Sequence, residues 1–514
     1  MRQTRAYLLS LSFGVLALGG ARADVKPHPI FSDNMVLQRG TDVVVWGKAD
    51  PGEKVAVKLV QDRADSATDT ELAAVTGEDG HWTVKLPGQR AGTGYTLTVK
   101  GKNTVAFKNV AVGDVWVCSG QSNMQWEFWR NNLGEQSKTV PAQAKNPNLR
   151  LMTLQRVTAT TPQYDFPVVT VPREGTKGPD GPQVHYGKWL ECNQESVQEF
   201  SAVAYYFGRD LEKELKVPVG LIVNSWGGMP AESYTSLEAL DAEPSLKYLA
   251  ERARAAAKQF EKDKRPAAPN TPTVLYNSMV HPILKFPVKG ATWYQGESNT
   301  GRAFEYRTLL PTMIQDWRKR WGSELPFLVV QLAPFGNGKN NSGGVTYAEL
   351  RDAQLHTART LPKVGLAVIT DAGHETDIHP PQKEVVGQRL ALNAMALAYG
   401  KKVEYLGPVY KGAKFDGNTA TLSFEHVGGG LEAKGGELAG FTAAGEDGKF
   451  LPAKAAIKGD TVVVTSDDVK QIKAVRYGWV NFAKPTLNLF NKEGQPASPF
   501  RTDDFPLTTQ PKKQ

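Results

Sequence analysis

The sequence predicts an α/β protein in which a parallel sheet, covered by helices on both faces, is flanked by all-β regions. Three observations predict it. Short alternating apolar runs separated by Gly- and Pro-containing turns fill residues 24–108. Apolar strands then alternate with helical segments over residues 109–400, and the strand pattern returns over residues 401–514. Alternation of buried strands with helices is typical of a parallel sheet that has helices on both sides.

Residues 1–23 precede these regions and predict an export signal. Arg2 and Arg5 give a basic start, Leu8–Leu18 is an apolar core, and Ala21-Arg-Ala23 is a small-residue cleavage site. The apolar run is too short to span a membrane with these flanks. We therefore expect a mature chain without a membrane span that functions in the periplasm or outside the cell.

The composition excludes several classes of function. The chain has 61 Lys and Arg against 53 Asp and Glu, and the excess of +8 is spread along it rather than gathered in a basic block, so we expect no nucleic-acid partner. Cys118 and Cys192 cannot form a disulfide scaffold, although the sequence leaves open whether they pair with each other. No Cys/His spacing indicates a metal site, and we expect no metal or cofactor.

The N-terminal region, residues 24–108, is predicted to be a small β-sandwich-like domain. Turns at Pro51-Gly52, Asp79-Gly80 and Gly92-Thr-Gly94 separate its strands. The predicted strands are Val43–Trp46, Val55–Leu59, Trp82–Leu86 and Tyr95–Val99.

The central region, residues 109–400, is predicted to hold the parallel sheet, with a long insertion near residues 132–187 that lines the site. The insertion lacks periodicity and is rich in Pro, Gly and Thr. The predicted strands are Val112–Cys118, Val219–Asn224, Gly290–Tyr294, Phe327–Leu332 and Val364–Thr370. The predicted helices are Phe200–Leu215, Pro244–Lys264, Glu305–Trp321, Tyr347–Thr360 and Lys383–Tyr399.

The C-terminal region, residues 401–514, is predicted to be β again. Its predicted strands are Thr419–Phe424, Thr461–Thr465 and Ala474–Trp479.

Ser122 is the candidate nucleophile. The apolar run Val115–Cys118 ends in Ser-Gly, and Ser122 follows two residues later. The carboxyl end of a buried parallel strand is where α/β proteins place ligands and reactive groups. Serines after strands are also common helix caps, so Ser122 depends on the residues that accompany it.

His379 is the candidate base, because a serine hydroxyl needs an acceptor for its proton. It follows the strand Val364–Thr370 and is therefore expected at the same sheet edge as Ser122. Asp377, two residues earlier, is the first candidate to orient the imidazole. Asp371 and Glu297 are the alternative acids.

Donors for an oxyanion can be predicted from two further segments. Gln295 follows the strand Gly290–Tyr294 and carries a side-chain amide, and Gly227-Gly228 follows the strand Val219–Asn224. Backbone amides at glycines can approach a ligand closely. With the N–H of Ser122 these groups are the predicted oxyanion hole, while a plain tight turn is the alternative for the glycines.

These segments resemble a known family. Gly120-Gln-Ser-Asn-Met124, Gly227-Gly228, Gln295-Gly-Glu-Ser-Asn299 and Asp377-Ile-His-Pro380 are similar to the blocks of SGNH hydrolases, and specifically to the branch of sialate O-acetylesterases and bacterial carbohydrate acetylesterases. The resemblance implies a three-layer, flavodoxin-like sheet. It also implies Ser122 as nucleophile and His379 as base. The general pattern places Asp where Thr376 stands and Asn where Ser298 stands, so the acid is carried over less directly.

The implied function is an exported serine esterase that removes O-acetyl groups from carbohydrate through an acetyl-enzyme, without a cofactor. Sialic acid and plant hemicelluloses such as xylan or xyloglucan are the candidate substrates. Trp126 and Trp226 are candidate substrate contacts, because aromatic rings stack on sugar faces. Asn299 is a third candidate. The alternatives are a non-catalytic carbohydrate-binding protein with a hydrolase-like core and a short-chain lipase or thioesterase.

Overall fold

The computed structural model describes residues 24–61, 70–176, 181–336 and 343–511. The predicted export signal lies outside these residues. Within them, every helix is either too short or too polar to cross a lipid bilayer.

The N-terminal region is built from β-strands, as predicted, and their pairing is mostly antiparallel, although Val36–Gln38 runs parallel to its partner residues 111–113. Strand β3 pairs with β1 and β6, while β4 pairs with β5 and β7. Burial alternates along β4 and β6, which indicates that each has one face in the core. The strands are β1 Lys26–Pro27, β2 Val36–Gln38, β3 Val43–Lys48, β4 Lys54–Gln61, β5 Thr70–Val75, β6 His81–Leu86, β7 Gly92–Lys100 and β8 Thr104–Gly120.

Strand β8 joins the N-terminal region to the central sheet. It has 17 residues, far more than the predicted Val112–Cys118. Its first half pairs antiparallel with β7, and its second half lies between two parallel strands of the central sheet. The expected boundary between residues 108 and 109 therefore falls inside one continuous strand.

The central sheet is mixed, with parallel strands at its centre. The spatial order is β10-β11-β9-β13-β8-β14-β15-β16, and the neighbours from β9 to β16 are parallel. The remaining strands of this region are β9 Asn146–Thr153, β10 Val169–Pro172, β11 Gln183–Tyr186, β12 Leu190–Cys192, β13 Val219–Ser225, β14 Gly290–Tyr294, β15 Phe327–Val330 and β16 Val364–Ala367.

Helices cover both faces of this sheet. Alternate side chains of β8 enter different cores, with Val115 and Val117 in one and Trp116 and Cys118 in the other. The first core also contains residues of α7 and α8, and the second contains residues of α4 and α9. The α-helices are α1 Ser122–Gln125, α2 Gln136–Gln143, α3 Gln194–Gln198, α4 Ala202–Leu215, α5 Leu237–Ala242, α6 Lys247–Asp263, α7 Ala303–Trp321, α8 Thr346–Thr360 and α9 Lys383–Leu397. Short 3-10 helices span Asn131–Leu133, Ala231–Tyr234, His281–Ile283 and Glu297–Arg302, and a π-helix spans Tyr276–Val280.

The expected insertion over residues 132–187 is more ordered than predicted. It contains α2 and the hairpin β10–β11, and its strand β9 joins the central sheet parallel to β13. Pro147 and Arg150 interrupt the apolar pattern of β9, which is why the sequence did not indicate a buried strand there. Arg150 is buried because its guanidinium pairs with Glu191 on β12.

The C-terminal region forms its own small antiparallel sheets around a separate apolar core. The guanidinium of Arg351 on α8 is buried and donates to the carbonyl oxygens of Val480 and Asn481, which fixes this region against the central one. The strands are β17 Val409–Asp416, β18 Thr419–Glu425, β19 Leu431–Ala433, β20 Phe441–Ala444, β21 Leu451–Pro452, β22 Lys454–Lys458, β23 Thr461–Thr465, β24 Ala474–Tyr477, β25 Leu489–Asn491 and β26 Phe500–Arg501.

The two cysteines are free and buried. Both lie in the core on the α4–α9 face of the sheet. Burial raises the pKa of the Cys118 thiol to about 12 and that of the Cys192 thiol to about 11. Both therefore act as small apolar side chains in the core.

Gly120 ends β8 with φ of +136°, a conformation that favours glycine, and a Cβ at this position would overlap the carbonyl oxygen of Tyr294. We expect Gly120→Ala to lower the free energy of unfolding by about 2–4 kcal/mol, because it adds both backbone strain and overlap. Denaturant titration measures this, with Gly301→Ala as the control, since nothing lies within 4 Å of a Cβ there. Equal unfolding midpoints for the two variants would contradict this account.

Candidate active site

The register of the central sheet brings three strand ends to one level. Gly120 at the end of β8 pairs with Ser225 of β13 on one side and with Tyr294 of β14 on the other. The segments that follow these strands therefore leave the sheet side by side. They carry Ser122, the Gly227-Gly228 pair and Gln295.

Ser122 and His379, which are 257 residues apart in the chain, meet at this edge. Ser122 is the first residue of α1, and its Oγ lies 2.9 Å from Nε2 of His379. Both side chains are partly exposed, so a ligand can reach them. A serine hydroxyl within hydrogen-bond distance of an imidazole is the geometry that general-base activation requires.

Asp377 is the carboxylate nearest to Nδ1, the ring nitrogen of His379 that faces away from Ser122. Its Oδ1 accepts the backbone N–H of His379 at 2.8 Å and lies 3.8 Å from Nδ1 of the ring. Asn132 secures the same loop, because its Nδ2 donates to the His379 carbonyl at 2.8 Å and to Oδ2 of Asp377 at 3.2 Å.

The two alternative acids are occupied elsewhere. Both carboxylate oxygens of Asp371 accept from Arg389, at 2.6 and 2.8 Å. Oε1 of Glu297 accepts from Nδ2 of Asn123 at 2.6 Å. Among the described residues, only Asp377 has a carboxylate oxygen within 4.0 Å of a ring nitrogen of His379. In this structure neither Asp371 nor Glu297 is paired with the imidazole.

An aromatic and cationic stack extends from the imidazole. The His379 ring stacks on Trp126 with the ring centroids 3.8 Å apart. The guanidinium of Arg130 lies 4.5 Å from the Trp126 ring centroid and 4.6 Å from that of Trp129. The predicted site residue Trp126 thus contacts the imidazole directly, whereas Trp226 packs against the core on the other face of the sheet.

The surroundings of His379 disfavour its charged form. Burial lowers the pKa of the imidazole to about 4, and the positive charges of Lys383 and Arg130 act in the same direction. The Asp377 carboxylate acts in the opposite direction. His379 is therefore a neutral imidazole, able to accept a proton, at neutral and mildly acidic pH.

The two glycines of the predicted oxyanion hole differ. Gly227 lies against Ser122, but its N–H donates to Oε1 of Gln125 at 2.8 Å. Gly228 is exposed, with φ of +75° and no atom within 4 Å of a Cβ position. The N–H of Gly228 donates no hydrogen bond to the described residues.

The predictions for Gln295 and Asn299 need correction. Nε2 of Gln295 donates to Oδ1 of Asn299 at 2.6 Å and to the Met229 carbonyl at 3.3 Å. The amide of Asn299 in turn donates to Glu232 at 2.9 Å. Both side chains are fully buried and already paired, so they shape the loop and do not reach a substrate.

A cleft of about 800 Å³ lies near the Trp129 end of this stack, and its lining residues do not include Ser122 or His379. It lies between the hairpin β10–β11 and the β9–β12 edge of the sheet. The guanidinium of Arg173, one of its lining residues, lies 5.6 Å from the Trp129 ring centroid. Its polar lining includes Thr153, Gln183, His185, Asn193, Gln194 and Glu199.

Several site residues escaped the sequence analysis. Asn132 lies just after the Ser122 block, and nothing in its spacing indicates contact with a loop some 245 residues away. Lys383 did carry a signal, because it follows His379 by four residues at the start of a predicted helix. Within the described residues, no cluster of three or more His, Cys, Asp or Glu side chains could hold a metal ion.

Comparison with known proteins gives the class of the chain. It is 30% identical to the sialate O-acetylesterase of Homo sapiens in an alignment of 416 residues that covers 74% of this chain and 72% of that protein. The sialate O-acetylesterase of Mus musculus is 29% identical in an alignment of 423 residues that covers 74% of this chain and 75% of that protein. The crystal structure of XAC1771, a carbohydrate acetylesterase from Xanthomonas citri, has 35% identity and a TM-score of 0.80, covering 94% of this chain and 100% of that one.

These likenesses show that the chain is a carboxylic ester hydrolase, as expected from its sequence. A family model described as carbohydrate esterase, sialic acid-specific acetylesterase matches residues 112–396, more than half of the 514 residues. The chain belongs to this family, which confirms the resemblance drawn from its sequence blocks.

The titration of His379 can be observed directly. We expect the imidazole signals of His28 and His379 to keep their neutral form down to about pH 4, because burial lowers both pKa values to about 4. NMR of histidine-labelled protein measures this, and His379→Asn identifies one of the two signals by removing it. His185→Asn is the control and should leave both. A His379 signal that titrates near the ordinary value of 6.5 would contradict the described burial.

Proposed function

We propose that the protein is an exported serine esterase that removes O-acetyl groups from carbohydrate through an acetyl-enzyme. The observation that carries the proposal is the 2.9 Å contact between Oγ of Ser122 and Nε2 of His379 at the end of β8. The family membership supports the acetyl ester as the bond that is cleaved.

In the proposed reaction, Oγ of Ser122 attacks the acetyl carbonyl carbon while Nε2 of His379 accepts the hydroxyl proton. The tetrahedral intermediate collapses, the sugar oxygen leaves with the proton from the imidazole, and acetyl-Ser122 remains. Water then attacks this ester with His379 again as base, which releases acetate and restores the serine.

Asp377 is proposed to orient the imidazole and to stabilise the imidazolium that forms. Its Oδ1 stands 3.8 Å from Nδ1, so a small movement of the ring would complete a hydrogen bond. The bonds from Asn132 to Asp377 and to the His379 carbonyl limit how far the loop can move.

The oxyanion is proposed to be held by the backbone N–H groups of Ser122 and Gly228. Gly227 contributes in another way, since its bond to Gln125 fixes the turn against Ser122. Two backbone donors fixed by the ends of neighbouring strands need no reorganisation during the reaction.

The finer assignment of the fold is proposed from the strand order. Without β9, the parallel strands stand in the order β13-β8-β14-β15-β16, which in chain order is 2-1-3-4-5. This is the flavodoxin-like order, and it supports a three-layer SGNH hydrolase domain over residues 109–400. Residues 24–108 and 401–514 are proposed as flanking β domains, and residues 1–23 as the signal that directs the chain to the periplasm or the exterior.

The substrate is proposed to be an acetylated oligosaccharide or polysaccharide. Support comes from the cleft lined by Arg173, whose guanidinium also lies near Trp129, because amide and hydroxyl side chains in such a cleft can bond sugar hydroxyls. Acetylated sialic acid and acetylated xylan or xyloglucan are the candidates. A panel of these acetylated glycans, assayed for acetate release, distinguishes them.

Ser122→Ala tests the proposed function. It removes the nucleophile without disturbing the core, because the hydroxyl is partly exposed. We expect kcat/KM for a chromogenic acetate ester to fall by at least about 10³-fold with unfolding behaviour unchanged. Retention of most of the activity by the folded variant would refute the serine mechanism.

Asp377→Ala tests the orienting acid. We expect kcat to fall by about 10- to 1,000-fold, because the imidazole loses both its electrostatic partner and the support of its loop. Asp371→Ala is the matched control on the preceding turn. It should lower stability through the loss of the Arg389 pair and leave kcat within about threefold. The reverse ranking of the two kcat values would show that Asp371 serves the histidine.

A further inference from the structure

A buried polar cluster contacts the residues next in sequence to Ser122 and His379. Lys383, the first residue of α9, is 1% exposed, and its Nζ donates to Oδ1 of Asn123, which is 0% exposed. Nδ2 of Asn123 donates to Oε1 of Glu297 at 2.6 Å and to the Ile378 carbonyl at 3.0 Å. One amide thus connects an ammonium, a carboxylate and the backbone next to His379.

The cluster balances charge where water is excluded. A buried ammonium without a counter-charge is strongly destabilising, and Glu297 supplies that charge across the Asn123 amide. Burial lowers the pKa of Lys383 to about 7 and raises that of Glu297, while each group favours the charged form of the other. Among the described residues, Oε2 of Glu297 is buried without a hydrogen-bond partner, so its charge is stabilised by this cluster rather than by solvent.

The cluster also joins the two backbone segments that carry the reacting groups. Asn123 follows Ser122, and Ile378 precedes His379, so the bond from Nδ2 of Asn123 to the Ile378 carbonyl ties the nucleophile to the loop of the base. Trp126 adds a second link, because its ring stacks on His379 and its centroid lies 5.9 Å from Nζ of Lys383.

We propose that Lys383 is a positioning residue for the esterase reaction: held by Asn123, which also bonds the Ile378 carbonyl next to His379, its ammonium opposes protonation of the imidazole and keeps the free base available in acid. This inference rests on the proposed function. Lys383 acts through His379 and touches no reacting atom itself.

Among the charged groups around His379, Lys383 is the one that we expect to act most strongly on the protonation of the imidazole. Asp377, on the same loop, favours the imidazolium, whereas Arg130, which follows α1, and Lys383, on α9, oppose it. The Arg130 charge is offset by Glu127, whose Oε2 lies 2.7 Å from Nε of Arg130, and by Glu174 at 3.6 Å. The Lys383 ammonium has no such direct ion pair in the described residues and lies in the less hydrated interior, where its field is least screened.

The test is the pH dependence of the double variant Lys383→Met, Glu297→Gln, which removes both charges and leaves no uncompensated ion in the interior. We expect the acid limb of kcat/KM for a chromogenic acetate ester to move upward by at least about half a pH unit. Glu297→Gln alone should leave the limb nearly in place, because the raised pKa of Glu297 makes this carboxyl largely neutral where the imidazole titrates, and Lys383, with a pKa of about 7, is charged there in both proteins. Glu384→Gln, adjacent on α9 and paired with Arg209, is the matched control and should leave the limb in place.

The His379 NMR titration is recorded for the same variants, since it requires no activity. An upward shift of the imidazole pKa in the folded double variant supports the role of Lys383, whether or not the wild type hydrolyses an ester. Absence of ester hydrolysis by the wild type would refute the proposed function instead. A folded double variant whose imidazole pKa and acid limb match the wild type would overturn the role of Lys383. A uniform loss of kcat without movement of the limb would also overturn it, because that is the mark of a purely structural cluster.

Discussion

The backbone pairing of Gly120 with Ser225 and Tyr294 is the constraint on which the site depends. Parallel strands in fixed register end at one level, so each following segment starts from a defined point. Gly120 allows the sharp exit from β8, since its φ of +136° and its closeness to the Tyr294 carbonyl leave no room for a side chain. A shift of one residue in β8 would turn every one of its side chains to the other face and carry Ser122 away from His379.

Much of the fold could be predicted because its elements follow simple periodicities. The strand Gly290–Tyr294 has its predicted limits, and the helices on both faces begin and end within a few residues of prediction. β9 could not be predicted, since Arg150 breaks its apolar run and is accommodated only through Glu191, a partner 41 residues away. The length of β8 was equally hidden, because its two halves belong to different sheets and follow different burial patterns.

Some residues of the candidate site could likewise be predicted from the sequence, and others could not. Ser122 and His379 could be placed together from sequence because each follows an apolar strand, and topology does the rest. Gln295 was assigned to the oxyanion on the same reasoning. Its side chain instead satisfies Asn299 and Met229, because a buried amide bonds to the nearest buried partners, which the sequence does not reveal. Asn132 and Asn123 act through long-range hydrogen bonds for which a single sequence contains no signal.

A cation near the proposed base opposes the positive charge that His379 acquires when it accepts the serine proton. However, protonation of the imidazole by solvent and protonation by Ser122 have different effects on the charge of the site. In the resting enzyme, protonation from solvent adds one positive charge to the site, and the Lys383 ammonium opposes it in full. In the proposed transition state, the proton comes from Ser122, and an oxyanion forms together with the imidazolium, so the net charge of the site does not change. The ammonium therefore discriminates against the inactive protonated enzyme more than against the transition state. This difference explains how a buried lysine beside the base can extend activity into acid without an equal loss of rate.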